Sequence, residues 1–430
     1  MSDDTTRIIV LGGGFAGAYC VRRLERRLAS VNHQITLINE RNNFVFTPML
    51  LEAATSALEP RHVVIPLRGF LRQAELVMAH VDSVDLRNRT VTAATEFGEK
   101  KEFAYDHLVL ALGSETRMPD VPGLKEFAFG VKTLGDAATL RDRAIGMLEM
   151  ANLHSSHKDR LSWLTFAIVG AGYTGVEAAG EFNAFLREAT RPYRHIEESD
   201  VRVMLIQRSG RILDALDETT SQKASAVLER NGVEIRLNES ISRINQSSFE
   251  LESGETVRSH TVIWSAGVAP PPLLGQLDLP VNHHGYLECD PDLRVQGHEN
   301  IWGIGDCASN PDPQNNPYPP TAQHALQEGR KAAENIAAVI SGRPTEPLRY
   351  RSKGTMAALG GRQAIANILG MHLTGILAWF LWRSVYLGIM PGIGRKLRVA
   401  TDWTIDLFFS RDYSQLNHST ADRNRDGDSN

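Results

Sequence analysis

Two glycine-rich stretches, far apart in the chain, constrain the fold more than any other feature. In each, an apolar run leads into the pattern Gly-x-Gly-x-x-Gly at the predicted start of a helix. The glycines are Gly12, Gly14 and Gly17 in RIIVLGGGFAG, and Gly170, Gly172 and Gly175 in FAIVGAGYTG. The first glycine permits a tight turn, the second lets the backbone approach a pyrophosphate, and the third lets helix and strand pack closely. Each stretch therefore predicts a dinucleotide site at the N-terminus of a helix.

The first unit continues with a second apolar strand, HQITLINERN. This strand brings Glu40 to about 20 residues beyond the glycines, where a carboxylate can hold an adenosine ribose. Phe15 and Ala16 follow the second glycine and are assigned to the same site. Strand, glycines, helix, strand and acid in this order are a far more specific signal than a glycine motif alone.

The second unit departs from this pattern at the end of its second strand, DVRVMLIQRSG. An acid there accepts a hydrogen bond from the ribose and repels a 2′-phosphate, but this chain has Gln207 followed by Arg208. Gln removes the repulsion, and a nearby Arg can pair with phosphate. NADH and NADPH therefore both stay open at this site, to which Thr174 and Glu177 of the helix are also assigned.

Two dinucleotide sites in one chain indicate that one dinucleotide is held permanently while the other exchanges. The division expected is FAD at the first fingerprint and a nicotinamide at the second. A downstream strand, ENIWGIGDCAS, leads into Gly305 and Asp306, and such a Gly-Asp ends the flavin domain of two-dinucleotide flavoproteins, where its carboxylate bonds the ribityl chain. Two further strands, YDHLVLALGS with Ala111 and Gly113 and HTVIWSAGV with Gly267, are interpreted as crossovers between domains.

A helix is predicted to begin within PYPPTAQHALQEG. Its N-terminus would point amides at the flavin and steady negative charge on the reduced ring. Gln323 and Gln327 are four residues apart and therefore share one face of this helix.

Together these segments resemble the type II, non-proton-pumping NADH:quinone oxidoreductases, and the similarity extends to about Tyr413. The most specific matches are the quinone-site motif Ala-Gln-x-Ala-x-Gln, which begins at Ala322, and KGTMAALGGRQAI, which opens the C-terminal region. FVFTPMLLEAATSALEPRHVVIPLR resembles the family's stretch under the isoalloxazine. The resemblance implies that Thr47 and Pro48 line the flavin and that Lys353 lies close to it.

The resemblance also implies a reaction. NADH, held by the second fingerprint and Glu177, passes a hydride to FAD, and a membrane quinone near Gln323 and Gln327 then accepts two electrons and two protons. It further implies a peripheral location on the cytoplasmic face of the cell membrane and a homodimer formed through the C-terminal region. Ubiquinone and menaquinone stay undistinguished, because contacts with the quinone tail are apolar and unspecific.

Three other activities compete with this interpretation. A soluble ferredoxin or rubredoxin reductase shares the layout but does not need an apolar, basic C-terminus. A nicotinamide-binding redox sensor would reduce its flavin without turnover. A sulfide:quinone oxidoreductase needs cysteines beside the flavin, whereas Cys20, Cys289 and Cys307 are scattered and form no suitably spaced pair.

The C-terminal region differs from the rest of the chain. Leu373 to Met390 is an apolar run with one charge, Arg383, and a basic cluster follows it. The amphipathic aromatics of the region are expected at a membrane interface; they are Trp379, Trp382, Tyr386 and Trp403. A monotopic anchor is preferred to a helix packed on the body or to a membrane span, since an Arg within a span is costly.

Composition excludes some classes of function. The net charge of −5 gives no reason to expect nucleic acid as a partner. His283 and His284 are interpreted as part of a polar turn, because no third ligand is spaced to complete a metal site.

The predicted fold class is α/β, with two Rossmann-like domains, each a three-layer sandwich around a parallel sheet. The flavin domain is expected at residues 1–162 and 285–345, with the nicotinamide domain, 163–284, inserted in it. The C-terminal region is 346–415, and a disordered tail is expected at 416–430.

Overall fold

The computed structural model describes residues 5–154, 156–352, 354–368 and 370–415. Lys353 and the tail at 416–430, for both of which the sequence makes predictions, lie outside the described residues.

Most strands are short, and the central strands of the two large sheets are mostly buried. In chain order they are β1 (Thr6–Leu11), β2 (His33–Asn39), β3 (Asn43–Val45), β4 (Val64–Pro66), β5 (Glu75–Met78), β6 (His80–Asp85), β7 (Thr90–Ala94), β8 (Lys100–Ala104), β9 (His107–Leu110), β10 (Glu115–Thr116), β11 (Ala128–Phe129), β12 (Thr165–Val169), β13 (Arg202–Gln207), β14 (Val233–Leu237), β15 (Ile241–Asn245), β16 (Ser248–Leu251), β17 (Thr256–Arg258), β18 (Thr261–Trp264), β19 (Val268–Ala269), β20 (Leu287–Glu288), β21 (Ile301–Gly303), β22 (Ala308–Ser309), β23 (Gly354–Ala358), β24 (Ala364–Ile368) and β25 (Met371–Gly375).

The helices include one at each glycine fingerprint and two near the C-terminus. They are α1 (Phe15–Arg27), α2 (Leu50–Ala54), α3 (Leu67–Phe70), α4 (Leu124–Phe127), α5 (Leu134–Leu153), α6 (His157–Leu164), α7 (Tyr173–Ala189), α8 (Glu218–Arg230), α9 (Ala322–Ile340), α10 (Ile376–Ile389) and α11 (Ile393–Phe408).

The chain divides into two compact units, and the first comprises Met1–Val45, Val64–Glu115 and Val268–Ser352. Its central sheet has the order β21-β9-β1-β2-β5, and every pairing in it is parallel. Helices α1 and α9 pack on each other at very short range. A Cβ added to Gly329 would lie 2.1 Å from the carbonyl oxygen of Ala16, so only glycine allows this contact.

The second unit comprises Phe46–Val63, Thr116–Gly267 and Lys353–Asn430. Its sheet repeats the plan of the first, with the order β11-β18-β12-β13-β14 and parallel pairing throughout. The antiparallel sheet β23-β24-β25 and helices α10 and α11 belong to the same unit. The predicted fold class, two Rossmann-like domains with a further C-terminal region, is therefore confirmed.

These units divide the chain at other positions than the domain boundaries expected from the motifs. Strand β11, placed in the flavin domain by sequence, pairs with β18 in the sheet of the second unit. The segment after residue 353 also belongs to the second unit. The motif-based boundaries mark where each fingerprint begins, and as domain limits they stay a proposal.

The aromatic residues of the C-terminal region correct one prediction. Trp379, Trp382 and Trp403 are buried in the second unit, not displayed at its surface. The guanidinium of Arg383 explains the arrangement, because it stacks over the rings of Trp379 and Trp403 at 3.8 and 4.6 Å from their centroids. Tyr386, partly buried, packs edge-on against Trp382.

The charge of Arg383 is also neutralised within the second unit. Its Nη2 donates to Glu52 at 3.1 Å and to Asp406 at 3.5 Å, and Glu52 in turn accepts from Nε1 of Trp403 at 2.8 Å. Burial raises the pKa of Glu52 to about 7, although Arg383 acts in the opposite direction. The one charged residue of the apolar run, Arg383, is therefore tolerated because it is paired with carboxylates inside the second unit.

The same run is not one continuous helix. Its first residues form β25, α10 ends at Ile389, and α11 begins only after Pro391 and Gly392. Within the described ranges, no helix is both long enough and apolar enough to cross a membrane.

Candidate active site

The first fingerprint leaves open space at its middle glycine only. Gly12 has φ of +96°, and a Cβ there would lie 2.3 Å from the carbonyl oxygen of Ala111. A Cβ at Gly17 would lie 1.9 Å from the carbonyl oxygen of Gly12. At Gly14, with φ of −72°, an added Cβ meets no protein atom within 4 Å. The turn thus has the shape that a closely approaching pyrophosphate requires.

The second fingerprint repeats this geometry. Gly170 has φ of +95°, and a Cβ there would lie 2.7 Å from Cα of Ala266. A Cβ at Gly175 would lie 1.7 Å from the carbonyl oxygen of Gly170, whereas Gly172, with φ of −71°, faces nothing within 4 Å. No side chain of the described residues caps α1 or α7, so their first amides stay available to an anion. Both turns fit a dinucleotide.

An amide side chain closes each turn from the second strand. Asn39 accepts a hydrogen bond from the backbone N–H of Gly13 at 2.7 Å, and Gln207 accepts one from Ala171 at 2.9 Å. The residues before them, Ile38 and Ile206, accept from the first glycine of their fingerprints at 2.9 Å. Asn39 and Gln207 are therefore structurally equivalent, and sequence reasoning missed Asn39 because it searched this strand end for an acid.

The residue after each amide is exposed. Glu40, assigned to the ribose from sequence, is bonded to Nδ1 of His80 at 2.7 Å. Arg208 holds the equivalent place after Gln207. The position after the amide therefore holds the carboxylate of Glu40 in the first unit and the cation of Arg208 in the second. The amides themselves, Asn39 and Gln207, are neutral.

Three further residues assigned to the dinucleotides, Ala111, Gly113 and Gly267, follow parallel strands at their carboxyl ends. The N–H of Ala111 donates to the carbonyl of Leu11 at 2.8 Å, and Gly113 has φ of +69°. In the second unit Gly267 has φ of +81° and its carbonyl accepts from the N–H of Arg117 at 3.2 Å. Ligands of open parallel sheets bind at this edge.

In the first unit, Gly305 and Asp306 follow β21 directly. Gly305 has φ of +73°, and its N–H donates to Oε2 of Glu328 at 2.6 Å. The carboxylate of Asp306 is partly buried and accepts from Oγ of Ser114 at 3.1 Å. Burial raises the pKa of Glu328 to about 7. Sequence reasoning missed Glu328, whose position on α9 carries no motif.

The start of α9 holds the predicted quinone motif. Ala322 is its first residue, and Thr321 caps the helix by accepting from the N–H of His324. Oε1 of Gln323 accepts from the hydroxyl of Tyr350 at 3.2 Å. Gln323 and Gln327 are both partly buried, and Tyr350 is a neighbour that the motif did not reveal.

In the second unit, Glu177 stands on the first turns of α7. Its Oε1 accepts from the N–H of Ala358 at 3.1 Å. Burial raises its pKa to about 8, and the nearby carboxylates of Glu181 and Glu52 add to the shift. Thr174 lies exposed one turn earlier on the same helix. These surroundings therefore favour the carboxylic acid form of Glu177 over its carboxylate.

Thr47 and Pro48 begin a short 3₁₀ helix, Thr47–Met49, in the second unit. Phe15 and Ala16 begin α1 in the first unit, where the Phe15 ring packs edge-on against Phe44 at 5.5 Å between centroids.

The three cysteines are buried in the first unit. Burial raises the pKa of all three thiols, that of Cys307 to about 12. Thiols in this state are poor nucleophiles, which argues against sulfide chemistry.

The paired histidines lie in a turn closed by the hydrogen bond from the N–H of Gly285 to the carbonyl of Asn282. The rings of His283 and His284 are 3.8 Å apart. No cluster of three metal-ligating side chains occurs in the part of the chain that the structure describes.

Two fingerprints with open middle glycines, each on its own parallel sheet, define a class: oxidoreductases that bind two dinucleotides. Residues 6–329 match the family described as pyridine nucleotide-disulphide oxidoreductase, and residues 352–412 match the NDH2 C-terminal domain. With these matches and with relatives at 30% identity or more over nearly its whole length, the chain belongs to the type II NADH:quinone oxidoreductase family.

Three relatives illustrate the match. A probable NADH dehydrogenase of Dictyostelium discoideum is 30% identical, with 96% of this chain and 92% of the relative covered. Demethylphylloquinone reductase NdbB of Synechocystis is 32% identical, with 94% and 96% covered. The type II NADH:quinone oxidoreductase Ndh of Mycobacterium tuberculosis is 30% identical, with 94% and 89% covered.

Solved structures share the fold. NDH2 from Plasmodium falciparum in complex with NADH superposes with a TM-score of 0.89 at 21% identity, covering 95% of this chain and 99% of that chain. A sulfide:quinone oxidoreductase from Aquifex aeolicus gives a TM-score of 0.72 at 16% identity, covering 94% and 96%. The fold is therefore common to several activities, and the site must distinguish them.

Proposed function

We propose that the protein is an FAD-dependent enzyme that oxidises NADH and reduces a membrane quinone without pumping protons. The observation that carries this proposal is the pair of open turns at Gly14 and Gly172, each closed by an amide from the second strand. One turn serves a resident dinucleotide, and the other serves a dinucleotide that exchanges.

The first unit holds FAD. The amides at the start of α1 bind its pyrophosphate around Gly14, with Phe15 and Ala16 in the same turn. Glu40 and Asn39 stand at the ribose end, and Asp306, held by Ser114, bonds the ribityl chain. Bound FAD supplies the hydride and electron chemistry, which these residues do not perform themselves.

The second unit binds the nicotinamide dinucleotide. The turn at Gly172, the start of α7 and Thr174 receive its pyrophosphate, and Gln207 meets its ribose. Because Gln207 is neutral and Arg208 follows it, NADPH is accepted beside NADH. The second site is therefore proposed to bind either NADH or NADPH.

Gln323 and Gln327 bind the quinone head. The contact between Tyr350 and Gln323 fixes the side chain of that amide. Lys353 is proposed, from family resemblance alone, to lie near the flavin. Quinone reduction consumes two protons, and Glu177, whose pKa burial raises to about 8, is proposed to supply one of them.

The outer face of α10 and α11 is proposed to lie on the membrane. It exposes large apolar side chains, among them Leu377, Ile393 and Leu397 at 71, 78 and 63% exposure. Lys396 and Arg398 lie among them on α11 and suit anionic headgroups. Burial of this face in the interface removes apolar area from water without a membrane span.

The location and the assembly follow the family. We place the enzyme on the cytoplasmic face, where inverted membrane vesicles would oxidise added NADH and sealed right-side-out vesicles would not. We also propose a homodimer through the C-terminal region. Sedimentation equilibrium in detergent is expected to give twice the chain mass, and a monomer mass would contradict it.

A half-reaction experiment on Gln323→Leu tests the quinone assignment. The variant is expected to bleach its flavin with NADH at the normal rate and to recover at least about tenfold more slowly with a short-chain quinone, a difference of about 1.4 kcal/mol in barrier. Equal slowing of both half-reactions would remove Gln323 from the quinone site. Gln246→Leu, an exposed change elsewhere in the chain, is the control.

A further inference from the structure

A cavity of about 710 Å³ lies wholly within the second unit and apart from its fingerprint turn. Its walls come from the C-terminal half of α7, the end of α8, the turn between β23 and β24 and the end of α11. No residue assigned to either dinucleotide or to the quinone lines it. The cavity has a rigid wall, because backbone meets backbone there: a Cβ at Gly360 would lie 2.0 Å from the carbonyl oxygen of Gly180.

Arginine dominates the lining. Five guanidinium groups reach the cavity, those of Arg187, Arg191, Arg230, Arg362 and Arg411. Three acids share the lining, and two of them, Glu188 and Asp406, are engaged by the buried Arg411. The third, Glu198, is exposed. The cavity therefore carries more positive than negative charge.

Among the described residues, three of these arginines have neutral partners only. Arg187 donates to the side chain of Asn183 and to backbone carbonyls, Arg230 donates to Oε1 of Gln363 at 2.8 Å, and Arg362 donates to two carbonyls of α11 at 3.2 and 3.1 Å. Among the described residues, no carboxylate lies within ion-pair distance of these three or of the exposed Arg191. Hydrogen bonds to neutral oxygens hold the side chains in place but leave their charges uncompensated.

Such an arrangement matches a ligand with several negative oxygens. Guanidinium groups present planar pairs of N–H donors that suit phosphate, and several of them around one cavity favour a multiply charged group. At the edge of the same cavity Phe408 and Phe409 are 77 and 69% exposed. Exposed guanidinium groups beside an apolar rim fit a phosphate ester whose alcohol part is apolar.

We propose that this cavity is a binding site for a phosphate ester, distinct from both dinucleotide sites. The phosphate sits among Arg191, Arg230 and Arg362, and any attached chain lies on Phe408 and Phe409. The same chemistry can come from an anionic phospholipid headgroup or from a soluble phosphate ester. The position of the two phenylalanines favours the lipid.

Calorimetric titration of the full-length, flavin-loaded protein tests the site with three probes. They are dihexanoyl-phosphatidylglycerol below its micelle concentration, glycerol 3-phosphate, and dihexanoyl-phosphatidylcholine. Tighter binding of the phosphatidylglycerol than of glycerol 3-phosphate identifies a lipid as the source, and equal binding identifies a soluble ester. Both results support a phosphate site if the arginines are required.

The double variant Arg230→Gln/Arg362→Gln tests whether the arginines are required for binding. It is expected to bind the anionic probes at least about tenfold more weakly. The control, Arg26→Gln/Arg87→Gln, removes the same charge from exposed positions of the first unit and should bind like the wild type. If the double variant unfolds, Arg191→Gln replaces it, because that exposed side chain bonds no described residue.

Three results would overturn the proposal. They are failure of both anionic probes to bind, unchanged affinity in the arginine variant, and an equal loss in the control. Phosphatidylcholine also carries a phosphate; if it binds as tightly as the phosphatidylglycerol and does so equally in the arginine variant, the second of these results applies and the site belongs to the apolar rim alone.

Discussion

Gly14 and Gly172 have backbone angles that any residue can adopt, and a Cβ at either meets no protein atom within 4 Å. A leucine at these positions therefore strains nothing in the protein and obstructs only what binds there. We expect Gly14→Leu to purify without flavin absorbance at near-normal thermal stability. Gly172→Leu should keep the flavin but raise KM for NADH at least about tenfold.

The control for both variants is Gly275→Leu, at another exposed glycine with no atom within 4 Å of its added Cβ. It should keep both flavin and activity. A Gly14→Leu protein that stays yellow, or a Gly172→Leu protein that loses its flavin, would reverse or remove the assignment of the two turns.

We propose that Gln207 governs the choice of nucleotide, because it ends the strand beside the turn and has no charge. Gln207→Glu should lower kcat/KM for NADPH by about tenfold, or about 1.4 kcal/mol, through repulsion of the 2′-phosphate. NADH kinetics should change little. Gln246→Glu, an exposed Gln elsewhere in the unit, controls for the added charge. An unchanged NADPH to NADH ratio would show that Gln207 does not meet the ribose.

If Glu177 donates a proton to the quinone, as we propose, the quinone step depends on pH. The pKa of Glu177 is raised to about 8, so the acid form persists through neutral pH and is lost as pH rises past that value. The rate of flavin reoxidation by quinone should therefore fall above pH 8. Glu177→Gln cannot donate a proton and should be slowed by about 10²-fold, without the falling limb near pH 8. Glu126→Gln, at an exposed Glu, should behave as wild type; a flat wild-type profile would contradict the role.

At the scale of elements, α10 is fixed to the second unit by a buried charge pair. Arg383→Met leaves the buried Glu52 without its cation, whereas Asp406 keeps Arg411 at 3.1 Å, so we expect a loss of about 3–5 kcal/mol in the free energy of unfolding. Denaturant titration measures it. The double change Arg383→Met/Glu52→Gln should recover part of the loss, and Arg398→Met, on the exposed face of α11, should stay within about 0.5 kcal/mol of wild type.

If Arg383→Met is no less stable than the wild type, the ion pair between Arg383 and Glu52 does not hold α10 in place.

The same helix shows what the sequence could and could not predict about elements. The strand-turn-helix units are visible in sequence because apolar runs and glycines at fixed spacing are local patterns. The inward orientation of Trp379 and Trp403 depends on Arg383 and on Glu52, which is 331 residues away from it. From sequence, the aromatic residues of this apolar segment were therefore expected at a membrane interface. In the structure they pack around the buried ion pair of Arg383 and Glu52.

Some residues of the candidate site could likewise be predicted from sequence, and others could not. The motif residues Gly305 and Asp306 were predicted, but Glu328, which accepts from Gly305, and Tyr350, which bonds Gln323, were not. Their roles follow from contacts between distant segments, which one sequence does not reveal. Asn39 was not predicted for another reason, because the next residue, Glu40, is the acid usually found at the ribose.

For the whole molecule, membrane binding is assigned to the exposed apolar face of α10 and α11. Leu377→Asp/Ile393→Asp should greatly reduce the fraction of protein that sediments with phosphatidylglycerol vesicles, because two large apolar side chains would no longer be buried. The control, Phe97→Asp/Leu153→Asp, changes side chains that are 95 and 77% exposed elsewhere. Equal sedimentation of both variants would place the membrane contact on another surface.

The central claim, that electrons pass from a nicotinamide through the bound flavin to a quinone, is tested most directly under anaerobic conditions. The purified protein is mixed rapidly with NADH or NADPH while flavin absorbance is followed, and a short-chain quinone is then added. We predict rapid bleaching with either nucleotide and prompt recovery on addition of quinone. Bleaching without recovery would contradict the claim and would point to a protein acceptor or to a sensor.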